Sequence, residues 1–210
     1  LIQEINPKLD YQINLFGDVQ KALVSNRDID RKLFGGALLL NYQLTKNWKV
    51  NGVFRKEFYV NENDLPFTLD LNSSYQVHKN KVYGRFYKNA RIPTLNDLYW
   101  VNGGNTNLKS EFSKTVYLGF KHLAKWSYSF ELFKGNIDQM IQWTPNAENG
   151  LWQPENIGFV NREGFNVEST YKIVNDKIKV GGLYAFVEAT DNHGYQLIYT
   201  PNHQFKWWLE

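Results

Sequence analysis

The clearest structural signal in the chain is the stretch Phe67-Thr68-Leu69-Asp70-Leu71-Asn72-Ser73-Ser74-Tyr75-Gln76-Val77-His78. Apolar and polar residues alternate along most of this stretch. A period of two residues is typical of a β-strand that has one apolar face and one wet face. The same alternation recurs at 48–60 and 126–132. We therefore predict an all-β protein built from antiparallel strands.

Extending this pattern in both directions predicts about ten strands. They lie near residues 11–24, 33–45, 48–60, 66–78, 81–89, 112–124, 126–142, 158–174, 177–189 and 199–208. Tight turns at 45–47, 78–80, 124–125 and 175–176 alternate with longer connections at 25–32, 61–65, 90–111, 143–157 and 190–198. In an up-and-down meander, this order puts the short turns at one rim and the long loops at the other. That asymmetry is typical of an outer-membrane β-barrel.

The lengths of the predicted strands also favour a membrane barrel. Several are about 12 to 17 residues long, whereas strands of globular proteins are most often about five or six residues long. Trp48 and Trp126 follow short turns, and Tyr59, Trp143 and Phe159 lie near long connections, as expected for aromatic girdles at the two membrane interfaces. The alternative is that these rings fill the core of a soluble sandwich or barrel.

Composition excludes several classes of protein. Aromatic residues make up 16% of the chain, yet the mean hydropathy is −0.52, which does not fit an apolar helical bundle. The longest apolar or glycine runs, 33–40 and 180–187, are far shorter than the roughly 18 residues of a membrane-spanning helix. The absence of cysteine excludes disulfides and thiolate metal sites. A net charge of +3 does not favour a nucleic-acid partner.

Two linked motifs lie in the middle of the chain. The first is Arg85-Phe86-Tyr87-Lys88-Asn89-Ala90-Arg91-Ile92-Pro93-Thr94-Leu95-Asn96-Asp97-Leu98-Tyr99, which includes the end of a predicted strand, and the second is Gly104-Asn105-Thr106-Asn107-Leu108-Lys109-Ser110-Glu111. Both resemble motifs of TonB-dependent outer-membrane receptors. Ser110 stands where the family usually has proline. Further similarity lies in Glu155-Asn156-Ile157-Gly158, in Gly164-Phe165-Asn166-Val167-Glu168 and at 198–203.

This resemblance implies the carboxy-terminal half of a 22-stranded barrel that spans the outer membrane and contacts its lipid. It also implies a receptor that takes up a scarce small-molecule nutrient, such as an iron-siderophore or cobalamin. The resemblance implies that a TonB-type coupling protein supplies the energy for this uptake by acting on an amino-terminal plug domain. No cofactor is implied.

We expect residues 1–210 to form one partial barrel domain without a plug domain. The chain starts at Leu1 without a methionine, which suggests an excised piece, and Leu209-Glu210 resembles a cloning scar. A piece of a barrel exposes two unpaired edges. We therefore expect it to aggregate, to close into a smaller barrel or to pair edge to edge.

The motif residues are interpreted as scaffold. They are Arg91, Pro93, Thr94, Leu98, Tyr99, Gly104, Asn105, Leu108, Glu111, Gly164 and Glu168. Arg91 and Glu111 lie at the two roots of the longest loop, where they could form a bracing pair or remain ordinary solvated charges.

Ligand binding is assigned to the long loops. The candidate residues are Trp100, Asn102, Trp143, Trp152 and Tyr195, because aromatic rings with nearby amides suit a large polar small molecule. The alternative is that the tryptophans pin the loops to one another.

No catalytic or metal site is predicted. Asp191, His193, Glu188 and His203 match no established metal-binding spacing. The serines and carboxylates of the strands are explained by alternation alone. The competing function is a soluble all-β module that binds a ligand or a carbohydrate.

Overall fold

The computed structural model describes residues 2–6, 8–24, 27–60, 65–147, 150–173, 177–198 and 200–210. These residues form thirteen β-strands and one short helix. The elements are β1 Ile2–Asn6, β2 Leu9–Val24, β3 Arg27–Thr45, β4 Trp48–Tyr59, β5 Thr68–Val77, β6 Asn80–Arg91, α1 Leu95–Tyr99, β7 Glu111–His122, β8 Trp126–Asp138, β9 Ile141–Pro145, β10 Trp152–Asn156, β11 Val160–Ile173, β12 Ile178–Thr190 and β13 His203–Leu209.

Eleven of these strands form one antiparallel sheet in the order β1-β2-β3-β4-β5-β6-β7-β8-β11-β12-β13. Each neighbour in the sheet is also the next strand along the chain, except that β9 and β10 form a separate hairpin between β8 and β11. This arrangement is an up-and-down meander, because every connection joins adjacent strands. The predicted all-β antiparallel fold is confirmed.

The structure corrects several predicted boundaries. The predicted loop 25–32 is mostly strand, because β3 begins at Arg27 and pairs with β2 up to Val24. Residues 27–32 are polar at nearly every position, so they show no alternation. The predicted strand 126–142 ends at Asp138, and the strand predicted at 199–208 begins at His203. The predicted turn at 175–176 and most of the connection 61–65 lie outside the described residues.

The large sheet has one apolar face and one polar face. Directly paired residues on neighbouring antiparallel strands project to the same side of the sheet. One such row across eight strands consists of Trp48, Tyr75, Val82, Phe120, Phe130, Val167, Tyr184 and Phe205. Their side chains are mostly exposed, with Phe205 at 70% and Val82 at 57%. A continuous exposed apolar face of this extent is the surface that a lipid-facing barrel wall presents.

The apolar band runs obliquely across the register of the sheet. On β4 it extends from Trp48 to Phe54, and Lys56 is the next residue on that face. On β8 it ends at Leu132, and the next residue on that face is Lys134. Lys134 lies directly opposite Val116 of β7, which still belongs to the band. An oblique band is expected when strands tilt relative to the membrane normal.

The opposite face of the sheet carries a polar network. The hydroxyl of Tyr83 donates to Glu131 at 2.7 Å, and Asn166 donates to the same carboxylate at 3.4 Å. The Tyr83 ring is almost fully buried and lies over Gly119 of β7, where an added Cβ would be 2.2 Å from the ring. The absence of a side chain at Gly119 therefore lets the aromatic ring cover the neighbouring strand.

Two tryptophans mark the rim of the short turns. The indole N–H of Trp48 donates to Ser73 on β5, and that of Trp126 donates to Ser169 on β11, each at 2.9 Å. Both rings are exposed on the apolar face, as the girdle prediction requires. The prediction for Tyr59 is wrong, because its hydroxyl donates to Glu57 at 2.7 Å on the polar face of β4.

In the part of the chain that the structure describes, no helix is both long enough and apolar enough to span a membrane.

Candidate functional site

The segment between β6 and β7 is organised by a helix cap. Thr94 is the N-cap of α1, and its side chain accepts the Asp97 N–H at 3.1 Å. In return, the Asp97 carboxylate accepts the Thr94 N–H at 2.9 Å. This reciprocal arrangement is a capping box, which satisfies two backbone donors at the start of a helix. It fixes the path of the chain as it leaves the barrel wall.

Asp97 also connects this segment to the β9–β10 hairpin. Its carboxylate is buried and accepts the indole N–H of Trp143 at 3.0 Å. Trp143 is half-buried in β9, away from the large sheet, so its predicted place in a membrane girdle is wrong. The contact fits the alternative in which a tryptophan pins two loops together.

Two asparagines complete the connection. Asn105 donates to the Pro154 carbonyl at 3.1 Å, and Asn156 accepts the Lys109 N–H at 2.8 Å and donates to the Gln139 carbonyl at 2.7 Å. Residues 92–110 and 139–158 are thereby joined at three places, at Asp97, Asn105 and Asn156. We call these two segments together the loop unit.

Arg91 and Glu111 form a salt bridge at the base of the loop unit, with the Arg91 Nη2 3.1 Å from the Glu111 carboxylate. The same carboxylate accepts the Ile141 N–H at 3.0 Å, and Arg91 donates to the Ile141 carbonyl at 3.3 Å. The pair therefore braces both strand roots and the start of β9. The alternative of two separate solvated charges does not apply.

The remaining motif residues lie in backbone or packing positions. Pro93 is buried beside the cap, and the Gly104 N–H donates to the Trp100 carbonyl at 2.8 Å. Gly164 packs under the Phe133 ring on the polar face of the sheet. Leu98 and Leu108 are half-buried, Tyr99 is 37% exposed, and Glu168 lies on the polar face of β11.

Four of the predicted ligand-binding residues are exposed at the long-loop rim. Trp100 is 52% exposed, Trp152 is 45% exposed and Tyr195 is 73% exposed, and Asn102 is also exposed. Gly103 brings two of them into one region, because its N–H donates to the Trp100 carbonyl and its Cα packs on the Trp152 backbone. Exposed rings held on a braced backbone, with an amide beside them, can bind a large molecule with both flat and polar surfaces.

Tyr195 belongs to a second loop, which Asp191 organises. The Asp191 carboxylate accepts the N–H groups of His193 and Tyr195, each at 2.9 Å. Desolvation opposes ionisation of Asp191, but these hydrogen bonds and the nearby His193 ring hold its pKa below the usual range. The carboxylate is therefore used to fold the loop.

A small hydrophobic core supports the rim from below. It consists of Ile137, Val160, Ala189 and Leu197, with Met140, Ile157 and Val187 packed against it. Leu197 comes from the loop of Tyr195, whereas Met140 and Ile157 belong to the loop unit. The two candidate loops therefore share one core.

The sequence interpretation missed Asp97 and Asn156 as the residues that join the loops. Thr94 and Asp97 have the spacing of a capping box, so the start of a helix at this place could have been predicted from the sequence. Asn156 stands next to Ile157-Gly158, and Gly158 has a φ of 82°, a conformation that glycine adopts readily. The contact of Asp97 with Trp143 has no signal in the sequence.

The described residues contain no group of three or more histidine, aspartate or glutamate side chains that could hold a metal ion. Asp191 is engaged in its own loop, and His203 shares a hydrogen bond of 2.8 Å with the Tyr184 hydroxyl.

Comparison with known families gives one extensive match. The family model described as TonB dependent receptor-like, beta-barrel matches residues 4–210.

Two curated proteins match with significant similarity. Residues of this chain are 32% identical over 148 positions to the vitamin B12 transporter BtuB of Photobacterium profundum, a match that covers 67% of this chain and 24% of that protein. They are 36% identical over 83 positions to the vitamin B12 transporter BtuB of Vibrio vulnificus, covering 39% of this chain and 14% of that protein. The matches thus span a quarter or less of these relatives.

Solved structures share the fold at low sequence identity. A variant of the ferric enterobactin receptor PfeA of Pseudomonas aeruginosa, in complex with enterobactin, superposes with a TM-score of 0.77 at 16% identity, over 100% of this chain and 38% of that chain. The siderophore receptor PirA of Pseudomonas aeruginosa superposes with a TM-score of 0.70 at 14% identity, over 87% of this chain and 37% of that chain. The copper transporter OprC superposes with a TM-score of 0.76 at 10% identity, over 96% of this chain and 38% of that chain.

Proposed function

Because the chain belongs to the TonB-dependent receptor β-barrel family, whose members are outer-membrane proteins, we propose that it forms part of the wall and outer loops of a nutrient receptor. In this proposal the full-length protein binds a scarce, large and polar small molecule outside the cell. Import would be driven by a TonB-type partner acting through a plug domain. A soluble all-β module is inconsistent with membership of this family.

We further propose that the ligand is of the cobalamin class. The observation that carries this choice is that both curated relatives are vitamin B12 transporters. A cobalamin presents a wide planar ring with amide groups along its edge. The rings of Trp100 and Trp152 could stack on the planar surface, and Asn102 could hydrogen-bond to the amides.

The loop unit supports this role by holding the rings in place before the ligand arrives. The contacts of Asp97, Asn105 and Asn156 fix the backbone on both sides of Trp100 and Trp152. A braced binding surface loses less conformational entropy on binding, which increases affinity. Trp143 contributes to this bracing instead of contacting the ligand.

Binding of cyanocobalamin to the full-length receptor in detergent tests the proposal. We expect the double variant Trp100→Ala with Trp152→Ala to bind at least about tenfold more weakly, since base–aromatic stacking of comparable area contributes about 1–3 kcal/mol per ring. The matched control is Trp126→Ala at the opposite rim, which should bind like the wild type. Binding of ferric enterobactin without any binding of cyanocobalamin would show that the cobalamin assignment is wrong and leave the receptor assignment in place.

A further inference from the structure

Two lysines lie side by side on the apolar face of the sheet, and neither has an ion-pair partner among the described residues. Lys88 of β6 and Lys114 of β7 are direct cross-strand partners and project to the same side. Like charges in this position destabilise an antiparallel pair. Within the described part of the chain, neither ammonium group forms an ion pair with a carboxylate.

The position of the two lysines is defined by the apolar band. Each follows the band by one step on its own strand: Lys88 comes after Phe86, and Lys114 lies beyond Val116 on the side of the long loops. The ammonium of Lys88 lies 4.0 Å from the centre of the Phe67 ring, an exposed side chain on the same face. The pair therefore occupies the boundary between hydrocarbon and the polar headgroups of the outer leaflet.

Another lysine on this face shows how a charge can be neutralised within the protein. Lys134 lies on β8, and its ammonium is 2.6 Å from the carboxylate of Glu163 on β11. Lys88 and Lys114 have no such partner. An anion from outside the described residues would offset the repulsion between them.

A groove of about 460 Å³ adjoins the two lysines. Its lining includes Lys88, Lys114, Phe112, Asn136, Asp138 and Phe159. The two ammonium groups suit a phosphate, whereas the amide of Asn136 and the carboxylate of Asp138 suit sugar hydroxyls. The rings of Phe112 and Phe159 add an apolar surface to the groove.

We propose that this groove is a binding site for a phosphorylated glycolipid of the outer leaflet. The phosphate lies between Lys88 and Lys114, the sugar contacts Asn136 and Asp138, and the acyl chains follow the apolar face. A lipid is favoured over a soluble anion because the groove opens on the face that contacts the membrane. The site is separate from the loop unit and does not depend on which nutrient is transported.

The test uses the full-length receptor in detergent and bisphosphorylated lipid A as the probe, with binding measured by native mass spectrometry and by the shift in unfolding temperature. We expect Lys88→Gln and Lys114→Gln each to weaken binding by about fivefold, the contribution of one basic residue at an anionic lipid surface. Lys134→Gln, on the same face, should bind like the wild type. The double variant Lys88→Arg with Lys114→Arg keeps both charges and should retain binding.

Equal binding by the wild type and by the double variant Lys88→Gln with Lys114→Gln would overturn the proposal. Equal binding of dephosphorylated lipid A would do so as well, because the lysines would then not recognise phosphate. Effective competition by millimolar inorganic phosphate would assign the site to a free anion and also reject the lipid. Heat-modifiable migration on a denaturing gel verifies that each variant is folded.

Discussion

The buried carboxylate of Asp97 is one of three side chains that join two segments far apart in the sequence. It accepts a backbone N–H from Thr94 and the indole N–H of Trp143. Hydrogen bonds to a charged group are stronger than those between neutral groups, and an unpaired buried donor is costly. Asp97 therefore couples the start of α1 to the β9–β10 hairpin.

Replacing Asp97 tests this coupling. We expect Asp97→Ala to destabilise the loop unit by about 1–2 kcal/mol, the usual cost of losing a cap and leaving a donor unpaired. Hydrogen exchange should accelerate at residues 94–97 and 141–145 together. Asn96→Ala, an exposed neighbour in the same helix, is the control. Faster exchange in only one of the two segments would show that Asp97 does not couple them.

At the scale of elements, neighbouring strands of the wall interlock through an aromatic ring and a glycine. The Tyr83 ring of β6 covers Gly119 of β7, and its hydroxyl reaches Glu131 of β8. Three strands are thus connected by one side chain. A similar arrangement places the Phe133 ring over Gly164 and the Trp208 ring over Gly181.

Adding one methyl group under the Tyr83 ring should disrupt this interlock. We expect Gly119→Ala to lower the stability of the barrel by about 1–3 kcal/mol, because a Cβ there would collide with the ring. Gly84→Ala is the matched control, since the nearest atom to its added Cβ is at 3.5 Å on the apolar face. The temperature at which heat-modifiable migration is lost measures both variants. Equal temperatures for the two variants would contradict the interlock.

The sequence predicted the strands best where one face meets apolar surroundings, because alternation arises only there. It failed at 27–32, where both faces of β3 are polar. It also failed at the break between β8 and β9. Gln139 there has a φ of 55°, which a non-glycine residue rarely adopts, so the sequence shows no turn signal.

The candidate site was predicted only in part, for a related reason. Composition located the exposed rings of Trp100, Trp152 and Tyr195, because side-chain chemistry can be read residue by residue. The role of Trp143 could not be predicted, because it depends on a contact with Asp97 across 46 positions of sequence. Such contacts arise from the fold as a whole.

At the scale of the whole molecule, the described sheet has two edges. β1 and β13 each pair with one neighbour, so each has one side of unpaired backbone groups. Such edges are costly in a membrane, where no water is present to hydrogen-bond them. The 210-residue chain therefore requires a partner for these edges.

We expect the purified chain to self-associate in detergent through these edges. Lys179 and Glu210 exchange two backbone hydrogen bonds, so the Glu210 N–H points toward β12. Successive N–H groups of an antiparallel strand point alternately toward the partner strand and away from it, which directs the Phe205 N–H to the free edge of β13. Phe205→Pro should therefore reduce association while keeping the ladder with β12, whereas Lys206→Pro should disrupt that ladder. Analytical ultracentrifugation measures the associated fraction. A wild-type chain that stays monomeric at all concentrations would contradict this expectation.

The oblique course of the apolar band means that hydrogen-bonded neighbours do not share the same depth in the bilayer. Val116 and Lys134 are direct partners, yet one lies in the hydrocarbon and the other among the headgroups. The tolerance of a position to a charge should therefore follow its distance from the bilayer midplane instead of its row in the sheet. In this wall, depth along the membrane normal decides whether a side chain is apolar or charged, whereas backbone pairing follows the register of the tilted strands.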